Sequence, residues 1–392
     1  AQIDNKQKES VSLYYCEDYY NYFFGVMPVS TGYTNIFDII TYKDGFLVRY
    51  PSRKNPTVLT PHKSNKKLLA TLEEYEDIHK VLGVDTLYKL NKEIKEGKTR
   101  EIIMLSEALH EKKISDIADD VAKRKNVKMV LIAGPSSSGK TTFAKRLGIE
   151  LRLNGLKPVT ISVDNYFVER KDNPKDENGD YDFECLEAID LELFNNHIKT
   201  LLDGGKIDVP TFDFKEGTKK YNGKKMKLAS DEILVIEGIH CLNDKLTESI
   251  PMDQKYKIYI SDLTVLNIDY CNRISTTDTR LLRRIVRDNN FRGYTALHTL
   301  STWSSVNRGE NKNIFPHQEN CDAMFNSSLI YEISVLKKHA LPQLEKITNE
   351  EKEYSEAKRL AEFLKYFEDI DEEFIPRNSL LREFIGNSIF GD

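Results

Sequence analysis

The sequence predicts an α/β fold in which a parallel β-sheet is flanked by helices. The apolar run at residues 129–133 has the composition of a strand buried on both faces of a parallel sheet. Two more strands are predicted at residues 159–163, where apolar residues alternate with Thr and Ser, and at the apolar run 233–236, and each of these two is followed by an acidic residue. Helical spacing of apolar residues follows the first run, as expected when parallel strands are joined by crossover helices. These three runs place the predicted sheet in the middle of the chain.

The first predicted strand leads directly into a phosphate-binding motif, because residues 134–141 match G-x-x-x-x-G-K-[ST], the pattern of a P-loop NTPase. The glycines allow a tight turn whose backbone N–H groups point at phosphate oxygens, Lys140 can reach the β- and γ-phosphates, and Thr141 can offer its hydroxyl to Mg²⁺. The helix predicted from Thr141 onwards turns its N-terminus towards the same anion. The motif therefore predicts a nucleoside-triphosphate site whose ligands are Gly134, Pro135, Ser136, Ser137, Ser138, Gly139, Lys140, Thr141 and Thr142.

Composition argues against several classes of protein. The net charge of −5 argues against a general nucleic-acid-binding protein, although it does not exclude a local basic patch. The five cysteines are scattered without C-x-x-C spacing, as expected in a reducing cytosol. No apolar run approaches the roughly 18 residues needed to span a membrane, and the N-terminus does not resemble a signal peptide. We therefore expect a cytoplasmic protein without a membrane partner, and the sequence leaves open whether it forms a homo-oligomer.

The chain divides into four predicted parts. Residues 1–60 are rich in Tyr, Phe and Gly, with short apolar runs between turn signals, which predicts a small strand-rich module. Residues 61–126 carry apolar side chains at three- and four-residue steps among many charges, which predicts a helical connector. Residues 127–345 contain the predicted strands and the phosphate-binding loop, and residues 346–392 are predicted to form a C-terminal helical segment.

Acidic residues follow the other two strands of the predicted sheet. Ligands of an open α/β sheet bind beyond the carboxyl ends of its strands, so Asp164 should lie beside the phosphates, where it could take a proton from an acceptor hydroxyl. An aspartate that caps the next helix is an alternative of equal weight. Glu237 follows four aliphatic residues, as in a Walker B strand, and could lie near the Mg²⁺ shell. Such a run is often no more than a buried strand, but its position downstream of a phosphate-binding loop favours the metal role.

Arginines form a stripe on one face of a helix predicted at residues 278–288. They fall at steps of three and four residues, with aliphatic side chains on the opposite face: Arg280, Arg283, Arg284 and Arg287. A solvated charged face is the alternative interpretation. Every cation of the stripe is an arginine, which favours phosphate binding by planar guanidinium groups. Gly293 could let this segment hinge as a lid over the nucleotide.

The order of these motifs resembles that of the uridine kinase/phosphoribulokinase family. The resemblance covers residues 127–340 and rests on the phosphate-binding loop and on segments 163–167, 181–183, 209–214, 237–239 and 277–293. It implies an ATP- and Mg²⁺-dependent kinase in which Asp164 is the general base and Asp182 binds substrate hydroxyls. It also implies that the arginine-rich helix contacts phosphates, that Glu237 helps to hold Mg²⁺, and that Arg292 lies near the substrate.

The flanking segments are similar to those of a bacterial subgroup of this family. In that subgroup a module like the second additional domain of threonyl-tRNA synthetase precedes the kinase. Residues 1–60 lack the His-x-x-x-His and Cys-x-x-x-His zinc motifs of that module, so the resemblance implies no editing or metal role for them. Residues 375–386 resemble the ending of the same subgroup, and no chemistry is predicted for them.

Two positions depart from the family pattern on the acceptor side. Phe167 stands where uridine kinases usually have Tyr, and Gly217 stands where a histidine approaches the pyrimidine. The predicted acceptor wall is therefore aromatic and apolar, with few groups that could distinguish one base from another: Tyr166, Phe167, Tyr181, Phe212 and Phe214.

The predicted reaction is ATP-dependent phosphorylation of a primary hydroxyl, with the 5′-OH of a nucleoside as the first choice. Two alternatives stay open. One is a kinase for another small alcohol, such as a sugar phosphate or a pantothenate-like acceptor. The other is a nucleotide-binding regulator that is associated with RNA and has little turnover.

Overall fold

The computed structural model has strands in its N-terminal part, as predicted. It describes residues 13–21, 28–43, 45–52, 55–59, 61–62, 64–176, 179, 181–213, 216–264, 266–270 and 272–391. Two antiparallel pairs lie in the N-terminal part: β1 (Tyr14–Cys16) with β2 (Tyr19–Asn21), and β3 (Asp38–Tyr42) with β4 (Gly45–Arg49). Most of their side chains are exposed.

Three helices follow: α1 (Lys66–Leu82), α2 (Leu87–Lys95) and α3 (Thr99–Lys123). The last of these does more than connect two parts of the chain. Its apolar residues Ile114, Ile117 and Val121 are buried in the same cluster as Val130 and Ile132 of the next strand. Helix α3 therefore covers one face of the central sheet. The division of the chain into four parts stays a prediction.

The remaining elements build and cover that sheet. In chain order they are β5 (Met129–Ala133), α4 (Lys140–Leu153), β6 (Lys157–Ser162), α5 (Leu191–Leu202), β7 (Lys206–Asp213), β8 (Thr218–Lys227), β9 (Glu232–Glu237), β10 (Lys255–Ser261), α6 (Thr276–Arg287), α7 (Ala296–Asn313), β11 (Ala323–Asn326), α8 (Glu332–Leu344), α9 (Tyr354–Leu364) and α10 (Arg382–Ile385).

Five strands of the described chain form one sheet in the order β11-β10-β5-β9-β6, and all neighbours are parallel. The predicted α/β fold is confirmed. Strands β7 and β8 form a separate antiparallel pair. The central strand β5 is buried on both faces, because Met129 and Leu131 join one core cluster while Val130 and Ile132 join another. The loop after β5 therefore emerges between the ends of β9 and β10, where ligands of such sheets bind.

The C-terminal segment is part of the hydrophobic core. Leu381, Phe384 and Ile385 are buried in one cluster with Leu281 and Leu282 of α6. This packing brings residues near the C-terminal end of the described chain back to helix α6. Among the helices with described structure, none has a stretch long and apolar enough to cross a bilayer.

Candidate active site

The phosphate-binding loop connects β5 to α4, in the predicted order of strand, loop and helix. Ser137 and Gly139 have left-handed backbone angles, with φ of 59° and 85°. Gly134 passes close to β10, because a Cβ atom built on it would lie 2.0 Å from the carbonyl oxygen of Ile260. The Lys140 ammonium donates to the carbonyl oxygens of the first two loop residues at 3.0 Å each. The lysine is therefore folded over the loop.

Two carboxylates accept hydrogen bonds from backbone N–H groups of this loop and its helix. Glu310 of α7 accepts from the amide of Ser136 at 2.9 Å, and Glu383 of α10 accepts from the amide of Thr142 at 2.9 Å. Amides at the N-terminus of a helix are the groups that bind phosphate in sites of this kind. Neither glutamate was singled out from the sequence.

The acidic residues that follow β6 and β9 lie side by side. Ser162, two residues before Asp164, pairs with Glu237 in the sheet register. Asp164 lies inside a 3₁₀ turn, Val163–Tyr166, whose N-terminus has no side-chain cap. The alternative role of a helix-capping aspartate is therefore not supported, and Asp164 is partly exposed.

Burial raises the pKa of Asp164 above its ordinary value. The charges that oppose this shift come from Lys140, Arg292 and Arg287, which places the carboxylate between the loop and the end of α6. Burial, together with the neighbouring charge of Asp164, raises the pKa of Glu237 to about 7. Both carboxylates therefore hold a proton more readily than an exposed acid does.

The site fits Mg²⁺ only in combination with a nucleotide. In the described part of the chain, no group of three or more His, Cys, Asp or Glu side chains could hold a metal ion. Thr141 is exposed at the start of α4, and Glu237 is a buried carboxylate with no cation in an ion pair among the described residues. A hydroxyl and a carboxylate are hard oxygen donors, and Mg²⁺ is usually bound by one or two protein ligands plus substrate phosphates and water.

Asp182, predicted to be the substrate ligand, stays a prediction, and a second acid, Glu184, lies near the phosphate-binding loop and Asp164. One carboxylate oxygen of Glu184 is buried without a hydrogen-bond partner, and burial together with the charge of Glu310 raises the pKa of Glu184 to about 7. Asp182 uses its own carboxylate to accept from the backbone N–H of Glu184 at 3.1 Å, so it shapes the turn. Gly309 of α7 leaves room for the Glu184 side chain. A Cβ atom built on Gly309 would lie only 2.3 Å from the Cβ atom of Glu184.

Both faces of α6 are largely buried, so its arginine stripe is not a solvated charged face. Arg283 is fully buried, donates to Glu332 at 2.6 Å and contacts the Ser137 carbonyl oxygen at 3.4 Å. Arg280 binds Glu310 through two hydrogen bonds of 2.6 and 2.8 Å. These two arginines support the back of the loop, and their carboxylate partners leave them poorly placed to bind phosphate.

The other arginines gather around one carboxylate at the end of α6. Asp288 lies 3.3 Å from Arg284, 2.8 Å from Arg287 and 3.8 Å from Arg292. Burial opposes ionisation of Asp288, yet Arg287 and Arg284 hold its pKa below the ordinary value. Burial and the charge of Arg287 lower the pKa of Arg292 to about 10. Three cations share one anion here, so this end of the helix is suited to attract phosphate.

Tyr166 lies in the core, which corrects the prediction that it lines the acceptor wall. Its ring is fully buried and packs edge-on against Phe194 at 5.0 Å. Its hydroxyl lies 3.0 Å from Nδ1 of His197. Burial and a hydrogen-bonded hydroxyl together leave no surface for a substrate, because the residue is enclosed by α5.

The rest of the predicted aromatic wall is divided. Phe167 and Phe212 are buried and pack on each other at 5.6 Å, whereas Tyr181 is exposed. Phe214 lies outside the described residues. Gly217 has a φ of 73°, and a Cβ atom built on it would lie 2.7 Å from the Cβ atom of Arg170. The turn therefore favours glycine for steric reasons of its own.

The chain matches the model of the Phosphoribulokinase / Uridine kinase family over residues 129–334. It is 30% identical over 157 residues to a uridine kinase of Halobacterium salinarum. The matched region covers 40% of this chain and 60% of that protein. It is 28% identical over 187 residues to a uridine kinase of Ligilactobacillus salivarius, which covers 47% and 78% of the two chains.

Among solved structures, one described as a possible uridine kinase from Bacillus stearothermophilus overlaps 54% of this chain and 98% of that one. The identity is 18% and the TM-score is 0.31, so this overlay supports no detailed comparison. The family model alone spans just over half of the chain, including the loop, both strand-end acids and the arginine helix. The chain belongs to the phosphoribulokinase/uridine kinase family.

Proposed function

We propose that this chain transfers a phosphoryl group from ATP to the 5′-OH of a nucleoside. The observation that best supports this proposal is the position of Asp164, whose carboxylate lies near Lys140 of the loop and Arg292 beyond α6. A carboxylate in this place can take the proton of an acceptor hydroxyl while the loop holds the phosphates.

The residues of the site then have separate tasks. The loop amides and Lys140 bind the phosphates, and Arg287 and Arg292 stabilise the negative charge on the transferring group. The acceptor oxygen bonds to the γ-phosphorus, the bond from that phosphorus to the oxygen of ADP breaks, and the hydroxyl proton passes to Asp164. A raised pKa makes this carboxylate a stronger base than an exposed aspartate.

Mg²⁺ would be held by Thr141 and Glu237 together with the nucleotide. When bound, it would neutralise part of the phosphate charge. Loss of the Glu237 proton is then coupled to binding of the ion, because a carboxylate must be ionised to act as a ligand.

The nucleoside acceptor is supported by the uridine kinases to which this chain is similar. Glu184 has a buried carboxylate oxygen without a partner, which suits it to bind sugar hydroxyls beside Asp182. Phe167 and Gly217 offer no polar side-chain group to the edge of a base. A site without such groups discriminates weakly between rings of similar shape, so we propose low selectivity among bases.

ADP release with uridine, cytidine, adenosine, guanosine and a base-free ribose analogue tests this proposal. We expect turnover with several nucleosides and kcat/KM values within about a hundredfold of one another, as apolar pockets usually give. A preference of about a thousandfold for uridine and cytidine would show that another residue reads the base.

The two alternatives give different results in the same assay. Turnover with the ribose analogue alone would indicate a kinase for another small alcohol. Absence of turnover with every acceptor, together with tRNA binding at physiological salt, would favour an RNA-associated regulator and contradict the kinase proposal.

A further inference from the structure

The segment that follows α9 crosses the phosphate-binding loop. Leu380 is fully buried against the loop, because a Cβ atom on Gly139 would lie 2.6 Å from its side chain. Further along, the carbonyl oxygen of Phe390 accepts a hydrogen bond of 3.0 Å from Lys145 of α4. This segment lies beyond residues 129–334, so the family match assigns it no role.

Glu383 is the residue of this segment that touches the nucleotide-binding amides. It accepts from the amide of Thr142, which lies in the first turn of α4. The first N–H groups of a helix have no partner within the helix, and the helix dipole favours an anion there. A phosphate group binds at such a position for the same reasons. The Glu383 carboxylate therefore occupies a place that a nucleotide phosphate would take.

Glu310, the other carboxylate on the loop, differs from Glu383 in what holds it. Glu310 is fully buried and is bound by Arg280 through two hydrogen bonds. Glu383 is partly exposed, and in the described chain no Lys, Arg or His forms an ion pair with it. Glu310 is thus fixed behind the loop by an ion pair, whereas the partly exposed Glu383 has only the more distant charge of Arg283 to attract it.

Glu383 also lies within electrostatic reach of Glu237, one of the two strand-end acids. Its charge is one of the causes that raise the pKa of Glu237. A negative charge in that place repels the phosphates of a nucleotide until the side chain moves away. The backbone on either side need not move, since Leu381 and Phe384 are buried in the core.

We propose that Glu383 is a residue of the nucleotide site that competes with a phosphate for the Thr142 amide and so weakens nucleotide binding. The inference rests on the proposed function only in requiring that the loop binds a nucleotide. When a nucleotide binds, its phosphate replaces the Glu383 carboxylate at the first turn of α4. The segment that carries Glu383 therefore sets the nucleotide concentration at which the site is filled.

Titration calorimetry of the full chain with ATP tests the inference, using Glu383→Ala and Glu383→Gln. Losing a charge-assisted competitor should tighten ATP binding about tenfold in Glu383→Ala. The effect should be smaller in Glu383→Gln, whose amide oxygen can still accept from Thr142. The control is Glu373→Gln, which removes the same charge from an exposed position of the C-terminal segment and should leave the ATP affinity within about twofold.

Adenosine serves as a second probe because it has no phosphate. Its affinity should be the same in all four proteins, and thermal unfolding checks that the variants are folded. Unchanged ATP affinity in both Glu383 variants would overturn the inference. Weaker ATP binding in both would also overturn it, because the carboxylate would then assist binding. Absence of ATP binding in the wild type and the variants alike would contradict the proposed function itself.

Discussion

The two sides of the phosphate-binding loop carry buried charges in opposite arrangements. Behind the loop, Arg280 and Arg283 each bind a buried glutamate with a shortest contact of 2.6 Å. In front of it, Asp164, Glu184 and Glu237 form no ion pair with any described cation. Paired charges therefore hold the loop in place, whereas the carboxylates without an ion pair have raised pKa values, as suits the proposed proton transfer.

Helix α6 contributes to both arrangements. Its first arginines face the glutamates behind the loop, and Arg287 lies beside the shared carboxylate Asp288 at the other end. Substitutions on the two sides should therefore separate stability from catalysis.

The largest effect is expected in front of the loop. Asp164→Asn preserves the size of the side chain but cannot accept the hydroxyl proton, so kcat should fall about 10²–10⁴-fold. ATP affinity should change little. The control is Asp172→Asn, which makes the same substitution at an exposed position in the segment that follows β6. Loss of ATP binding in the presence of Mg²⁺ would instead indicate that Asp164 is a metal ligand, and it would contradict the role of Asp164 as the base.

The next effect is expected behind the loop and concerns stability. Arg283→Ala leaves Glu332 as a buried charge without its partner, which should lower the free energy of unfolding by about 3–5 kcal/mol. Arg359→Ala removes an arginine from a more exposed ion pair with Asp278. It should change the free energy of unfolding by no more than about 1 kcal/mol. Urea unfolding measures both variants. Equal effects would show that the buried pair has no special role.

A smaller and pH-dependent effect is expected at Glu237. Its pKa is raised to about 7 in the folded chain, so wild-type stability should fall as the pH rises from the ordinary glutamate range through about 7. Glu237→Gln has no proton to lose. Without metal or nucleotide, this variant should be more stable than the wild type by roughly 1–3 kcal/mol at pH 8, and no longer so at pH 4. Identical unfolding curves at pH 8 would mean that the carboxylate is already compensated.

The smallest effect is expected at Arg287. Arg287→Lys keeps the charge but loses the planar fork, so kcat should fall about tenfold while stability stays within about 1 kcal/mol of the wild type. Arg283→Lys is the matched variant behind the loop and should instead lose stability. A wild-type kcat for Arg287→Lys would remove this arginine from the proposed site.

Local sequence patterns were sufficient for the sheet and the loop. Strand β5 and the glycines after it are specified by residues that are neighbours in the chain, so composition and spacing predict them. The position of Asp164 followed from the rule that ligands bind at the carboxyl ends of strands. The raised pKa of Asp164 did not follow from any such rule, because it depends on burial by residues that are distant in the sequence.

The partners of the arginines could not be predicted in this way. All four arginines share one helical spacing, but Glu332 lies 49 residues from Arg283 and Glu310 lies 30 residues from Arg280. Glu184 was not singled out because it lies with Asp182 in an irregular turn, where no periodicity tells which acids lie near the loop. Tyr166 was misplaced because its burial depends on packing against α5.

The contact between Thr142 and Glu383 joins residues that are 241 positions apart. On the ribosome, the loop is therefore synthesised long before the carboxylate that rests on it. Contacts of such long sequence separation form late and slow the final stage of folding. A nascent chain thus has an uncovered phosphate site for a time, and we expect nucleotide to bind to and stabilise the sheet before the segment that carries Glu383 packs over the loop.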